Sequence, residues 1–315
     1  MRRRRDRYAG FLYPARPAQS LAKRGDADLD RRRWIAKKVA RAALAFGAWG
    51  TGAVALRARL GAGARVRALT YHRFGDLPRD PWCVPQRDFD AQMRSLARAG
   101  RLVSLDDVLA FAAGRRALAP DAVLVTIDDG YRSVLDVALP VLREHGVPAV
   151  FFVSAGCIGS GVGPDAPEPF LAWDELARVR DAGVEIGSHA FDHVSLGRLS
   201  LGDARAQAER SRALLAERLG APPRAFAYPF GTRADFNEAT ERMLTEVGYE
   251  VVFNALHGAI RPGAAAGSLP RVKVEAGESL RMFELSCRGA MDGWRVVDEL
   301  LWRMQQVRAE TRAPS

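Results

Sequence analysis

An apolar run that opens Ala122-Val123-Leu124-Val125 and closes Thr126-Ile127 ends in two adjacent carboxylates, Asp128 and Asp129, followed by Gly130. A run of this length and composition reads as a buried strand. The carboxyl end of a strand is where α/β folds gather their chemistry. Asp-Asp-Gly is also ordinary turn chemistry, with Asp as a helix cap. Three other segments favour the first reading.

Gly187-Ser188-His189-Ala190-Phe191-Asp192-His193 follows a short strand at 184–186. Two imidazoles four residues apart can converge on one side of a single helical turn, and borderline metals such as zinc favour that ligand type and spacing. The chain has 5 histidines (His72, His145, His189, His193, His257), so a pair at ligand spacing stands out. Ala225-Phe226-Ala227-Tyr228-Pro229-Phe230-Gly231 is a further strand ending in a turn, and Leu69-Thr70-Tyr71-His72-Arg73-Phe74 is a strand ending in a histidine. Each segment alone has a structural reading: loop histidines, a strand with its turn, a packed histidine.

From Val66 onward, strand and helix signals alternate. Strands are expected at 66–71, 122–127, 147–153, 184–186, 225–228 and 249–253. Helices are expected at 85–99, from 104 onward, and at 134–145, 173–182, 201–219 and 234–247. This alternation predicts a parallel α/β architecture. Ser104 and Asp107 have capping-box spacing. The stretch 156–169 is rich in Gly and Pro without periodicity and is expected to form a rim loop over the cleft.

In this order and spacing the motifs resemble the polysaccharide deacetylases of the NodB-homology group (carbohydrate esterase family 4), over residues 66–290. Within it the chain is most similar to the branch acting on poly-N-acetylglucosamine-type exopolysaccharides, which has Tyr-His near its start and a Phe-Ala-Tyr-Pro box. The resemblance implies a distorted, incomplete (β/α) barrel that removes N-acetyl groups from an N-acetylhexosamine polysaccharide, an exopolysaccharide or cell-wall glycan. It implies one divalent ion, zinc first and cobalt, nickel or manganese as alternatives, held by Asp129, His189 and His193. Asp128 would take the proton of the attacking water, and the Phe230 N–H would complete an oxyanion hole. Adjacent side chains on an extended strand point apart, so the turn must reorient one of the two aspartates.

The chain departs from the family pattern in four places. Ala227 stands where the family has arginine, and Ala190 where it has Ser or Thr. A late Leu-x-x-His element and an Asp-x-x-Asp-Trp element are missing. In the resembling branch the acid histidine comes from the first strand, which points to His72. His145 ends a helix and His257 lies in a Gly-rich stretch, so His72 alone ends an expected strand. Arg271, in Leu269-Pro270-Arg271-Val272, is the candidate for the missing arginine. Trp173, Phe191 and Tyr228 are candidates for stacking on sugar faces, although each such residue is more often part of a core. Two other classes remain open: a hydrolase of a small amide or imide on the same scaffold, and a degenerate carbohydrate-binding module, which would have no use for Asp128.

The net charge of +10 is unevenly placed. Residues 1–67 hold 15 Arg and 3 Lys against 4 Asp, a net +14, which leaves −4 for the rest. A uniformly basic surface would suggest nucleic acid; a basic tail does not. The 3 cysteines form no Cys-x-x-Cys pair and read as reduced packing residues. Residues 1–33 read as a weakly ordered basic arm. The apolar stretch 42–56 is short of the roughly 20 residues that span a bilayer. It is left with three readings: a short anchor, an interfacial helix, or a helix packed on the barrel, with membrane association favoured. The chain thus divides into 1–65, a basic arm with an apolar segment that could anchor it to a membrane surface, and 66–315, the catalytic domain. The location expected is membrane-associated or exported, with the cytoplasm as the alternative. On this reading the arm governs location and leaves the chemistry alone.

Overall fold

The structure, a computed structural model, describes residues 24–52, 64–77, 79–160, 168–264, 267–297 and 299–300. Its strands are β1 (Val66–Tyr71), β2 (Arg73–Phe74), β3 (Cys83–Val84), β4 (Ala122–Ile127), β5 (Ala149–Val153), β6 (Glu185–Ser188), β7 (Ala225–Ala227), β8 (Val251–Phe253) and β9 (Arg271–Lys273). Its helices are α1 (Arg24–Gly50), α2 (Gln86–Arg98), α3 (Leu105–Ala112), α4 (Leu139–Glu144), α5 (Trp173–Asp181), α6 (Leu201–Leu219), α7 (Glu238–Val247) and α8 (Leu280–Cys287).

Seven strands pair in parallel in the order β8-β7-β6-β5-β4-β1-β9. Phe253 bridges Leu269, and the Asn254 N–H donates to the Leu269 carbonyl, so the end of β8 meets the segment leading into β9. The sheet therefore curls into a nearly closed barrel with helices around it, the distorted (β/α) barrel that the motifs imply. Parallel pairing puts the carboxyl ends of β1, β4, β6 and β7 on one rim. Register sets their relative heights: Tyr71 pairs with Ile127, and the Asp128 N–H donates to the Tyr71 carbonyl at 2.9 Å. His72 and Asp128 thus leave the sheet at the same level.

Local chemistry explains most of the boundaries. Ser104 and Asp107 close the expected capping box at the start of α3. Ser200 caps α6, and Gly220 ends it in the left-handed conformation. The helix expected over 134–145 begins instead as a π-helical turn, Val134–Ala138, before α4. Pro140 has no N–H for the Asp136 carbonyl, so the regular ladder cannot pass through that turn. Alternation of strand and helix did not signal the short β2–β3 pair, β9 or α8.

The amino-terminal region differs from the expected weakly ordered arm. α1 begins at Arg24, inside the segment 1–33. Residues 1–23 lie outside the described residues. α1 packs on α8, with Ala45 buried among Met282, Leu285, Ala290, Met291 and Trp294. Of the apolar stretch 42–56, residues 42–50 belong to this packed helix, and 53–56 lie outside the described residues. Among the described residues no helix is long and apolar enough to cross a membrane. Residues 161–167 of the expected rim loop also lie outside the description.

Candidate active site

The two aspartates are separated by the backbone. Asp128 continues the line of β4 and is buried, whereas Asp129 adopts φ +82°. That left-handed residue turns its carboxylate away from its neighbour's. Gly130 follows at φ +113°, and a Cβ there would sit 2.9 Å from Ile158 Cδ1. Only glycine fits this turn.

Asp129 Oδ1 lies 3.5 Å from His189 Nε2 and 3.2 Å from His193 Nε2. One ligand atom from each of the three residues lies within 4.8 Å of the others. The imidazoles do not converge on a helical turn, as their spacing suggested. The segment is a loop in which Ala190 (φ +62°) and His193 (φ +53°) are left-handed. The loop is held from α6: Gln207 Oε1 accepts from the N–H groups of Phe191 and Asp192, and Gln207 Nε2 donates to Asp192 Oδ2. Left-handed non-glycine residues cost energy and persist where surrounding contacts over-determine them. Asp129, Ala190, His193 and Phe230 all belong to this rim.

His189 Nδ1 lies 2.7 Å from the Ala227 carbonyl. A carbonyl only accepts, so Nδ1 carries the proton and Nε2 is left to ligate. One carboxylate and two imidazoles with such a fixed tautomer fit a borderline divalent ion. Burial works to raise the Asp129 carboxyl, but the two imidazoles beside it hold it well below the ordinary carboxylate range. The same pairing raises His193 against the effect of its burial.

Asp128 faces a different partner. Arg271, the first residue of β9, donates Nη1 to its Oδ1 at 2.7 Å and Nη2 to its Oδ2 at 2.8 Å. The guanidinium is itself buried and held: Nε donates to the Asn254 carbonyl, and Nη1 also reaches Thr126 Oγ1. A two-pronged fork of this kind fixes the orientation of a carboxylate as well as its charge. Ala227, at the family's usual arginine position, supplies a carbonyl to His189 instead.

His72 packs against Trp82, with ring centroids 4.8 Å apart. Its Nδ1 is buried and has no hydrogen-bond partner among the described residues. Burial lowers its imidazole from the ordinary range, while the charges of Asp129 and then Asp128 act to raise it. Phe230 stands 56% exposed with φ +61°, its ring edge-on to His193 at 4.9 Å. Its N–H makes no hydrogen bond among the described residues.

The three sugar-stacking candidates fare differently. Tyr228 is 0% exposed, stacks on Phe236 and donates to Thr240 Oγ1. It is a core residue and offers no face to a sugar, which corrects that expectation. Trp173 and Phe191 are half-buried, and arginines cover one face of each ring: Arg218 at 5.4 Å and Arg210 at 3.9 Å. Tyr131 escaped the sequence reading. It follows Gly130, stacks on Phe170 at 4.9 Å and has Arg73 over its ring. Burial first, and then the Asp129 charge, pushes its hydroxyl above the ordinary range. Trp82, Asn254 and Gln207 lie in no motif, and Thr126 lies in the first one without any signal of its contact with Arg271; all four act by contact.

Residues 115–252 match the family model described as polysaccharide deacetylase. The chain contains a polysaccharide deacetylase domain. YxkH of Bacillus subtilis (strain 168), whose name places it among polysaccharide deacetylases, is 25% identical over 217 residues, covering 69% of this chain and 74% of that protein. The structure of IcaB from Ammonifex degensii is similar with TM-score 0.62 and 27% identity, covering 72% of this chain and 97% of that one. The Streptococcus pyogenes deacetylase PplD, solved with acetate, shares the fold with TM-score 0.64 and 20% identity, covering 71% and 99%. The carboxyl ends of β1, β4, β6 and β7 place His72, which precedes the matched residues, together with Asp128, Asp129, His189, His193 and Phe230 on one rim.

Proposed function

We propose that this chain is a metal-dependent hydrolase that removes N-acetyl groups from an N-acetylglucosamine-type polysaccharide. The observation that carries the reading is a division of labour between adjacent aspartates. Asp129 faces two imidazoles, and Asp128 is forked by a buried arginine. A binding module would need neither. The similarity to IcaB, and the Tyr-His and Phe-Ala-Tyr-Pro elements, support a glycan substrate over a small amide.

A divalent ion held by Asp129, His189 and His193, zinc by the donor set, supplies Lewis acidity and lowers the pKa of water toward neutrality. Asp128, aimed by Arg271, takes a proton from the attacking water. The Phe230 N–H donates to the developing oxyanion. His72 gives a proton to the departing amine, which is a poor leaving group without it. The exposed Phe230 ring is the apolar surface available to a sugar face beside His193. Acetate release from N-acetylglucosamine oligomers, abolished by a chelator and restored by zinc, is the expected result. Release that survives complete metal removal would overturn the reading.

The outer face of α1 supports a membrane surface as partner. Ile35, Val39, Phe46 and Trp49 are exposed and recur at helical spacing along one side. Together with the positive charge of residues 1–67, apart from the buried Arg41 and Arg67, they suit an anionic lipid surface. Co-sedimentation with anionic but not neutral vesicles checks this.

A further inference from the structure

We propose that α1 is a positioning element for the reaction, with Arg41 setting the base side of the site and Lys37 the acid side. The inference rests on the roles given above to Asp128, Arg271 and His72. It reverses the expectation that the amino-terminal region leaves the chemistry alone. α1 lies outside the residues matched to the deacetylase family.

Arg41 is 0% exposed. Its Nε donates to Glu278 Oε1 at 2.5 Å, Nη1 lies 3.5 Å from Glu275 Oε1, and the guanidinium lies 5.4 Å from the Trp294 ring centroid. Its Nη2 donates to the Lys273 carbonyl at 3.2 Å. Lys273 is the last residue of β9, and Arg271 is the first. β9 is three residues long; it pairs with β1 through Ala68–Arg271, Leu69–Val272 and Thr70–Lys273, and on its other side the Arg271 N–H donates to the Leu256 carbonyl at 3.2 Å. A strand of three residues has few ladder bonds of its own to hold it. A buried charge bonded to its far end adds a restraint two residues from the fork on Asp128.

The same helix reaches the other shoulder of the site. Lys37 pairs with Glu275 at 2.7 Å, and its Nζ lies 5.6 Å from the centroid of Trp82, the ring against which His72 packs. The Ala276 N–H donates to the Pro81 carbonyl at 2.8 Å, tying the segment after β9 to the one carrying Trp82. Glu275 and Glu278 are therefore a shared anchor. Lys37, Lys38 and Arg41 hold it on one side, and on the other it leads to the arginine of the base and the platform of the acid.

The two routes predict different signatures. Arg41→Met shifts β9, so turnover falls on both N-acetylglucosamine oligomers and an activated acetyl ester, by roughly 10–100-fold, the scale of a small misplacement of a reacting group. KM and metal content stay within twofold. Arg41→Lys restores part of the loss. Lys37→Met acts through Trp82, so turnover falls several-fold on the amide and less on the ester. A purely structural role would lower Tm in both variants, leave kcat of the folded Arg41→Met protein unchanged, and leave the amide-to-ester ratio of Lys37→Met unchanged. That result overturns the proposal. Lys37 is half exposed, so its variant folds even where Arg41→Met does not, and Arg41→Lys keeps the charge. Imidazole NMR of histidine-labelled full-length protein reads the acid side without turnover. Lys37→Met is expected to move the His72 resonances and leave those of His145 in place. An unmoved His72 signal overturns the acid-side route. A wild-type chain that releases no acetate overturns the proposed function instead, and leaves this NMR comparison to decide the coupling.

Discussion

The two halves of the site are built in opposite ways. The triangle of Asp129, His189 and His193 comes from two short loops on neighbouring parts of one sheet, and each loop bends through its own left-handed residues. The pair of shoulders, Asp128 with Arg271 and His72 with Trp82, is gathered from β1, β4, β9 and the segment before β3, and it leans on α1. Local geometry is written largely in short motifs and leans on few residues outside them, Gln207 and the Ala227 carbonyl among them. Assembled geometry is only as good as its distant supports.

The largest expected effect falls on the local half. His189→Ala or His193→Ala removes a ligand, and loss of the metal's contribution is worth several kcal/mol in the transition state, roughly 10³-fold or more in turnover. Metal and activity should disappear together. Metal retained at one ion per chain in the double variant would break the triangle.

The next effect tests the assembled half. Arg271→Lys keeps the charge and loses the fork, since an ammonium is a point donor on a flexible stem. Turnover is expected to fall roughly 10–100-fold with the metal still bound, because a carboxylate swung off line loses most of its value as a base. Arg271→Met leaves Asp128 buried without its partner and should cost about 3–5 kcal/mol of stability. A denaturant midpoint unchanged in that variant would show that the pair is not buried in solution.

His72→Ala sharpens the comparison. An acid role predicts a loss of about 10²-fold on the amide and a much smaller one on an activated ester, whose leaving group needs no proton. Equal losses would reassign His72 to positioning.

The smallest effect concerns the support. Glu275 is lowered to about 2: burial would raise it, but Arg41, Lys38 and Lys37 prevail. A carboxyl depressed in the folded state contributes stability above its ordinary value of 4.5, which is lost as pH falls through about 2. Hydrogen exchange along α1 should therefore accelerate as pH falls from 4.5 toward 2, after correction for the intrinsic rate. Protection independent of pH over that window would separate α1 from its glutamates.

Legibility followed the same division. Ser104 with Asp107, and Leu201 through Leu219, were readable because caps and helical runs are local. The need for a turn at Asp128-Asp129 was readable from strand geometry, and its solution at φ +82° is what only coordinates supply. The histidine spacing suggested a helical turn; the loop reaches the same convergence because Gln207, fifteen or so residues on, holds its backbone. Arg271 was visible only as a stray arginine after a proline, since nothing in three residues of strand announces a partner 143 positions away. Tyr228 was misread because a tyrosine in a motif and a tyrosine in a core look alike until burial is known. The role of α1 was hidden for a further reason: a basic run reads as solvated, and here Arg41 is buried.

The adjacent aspartates carry the central claim, and metal content measures it most directly. Asp128→Asn and Asp129→Asn differ by one position and are nearly isosteric. The account predicts that full-length Asp128→Asn retains about one ion per chain while losing at least about 100-fold in turnover, and that Asp129→Asn loses the ion. An Asp128→Asn protein without metal, beside an Asp129→Asn protein that keeps it, would contradict the assignment.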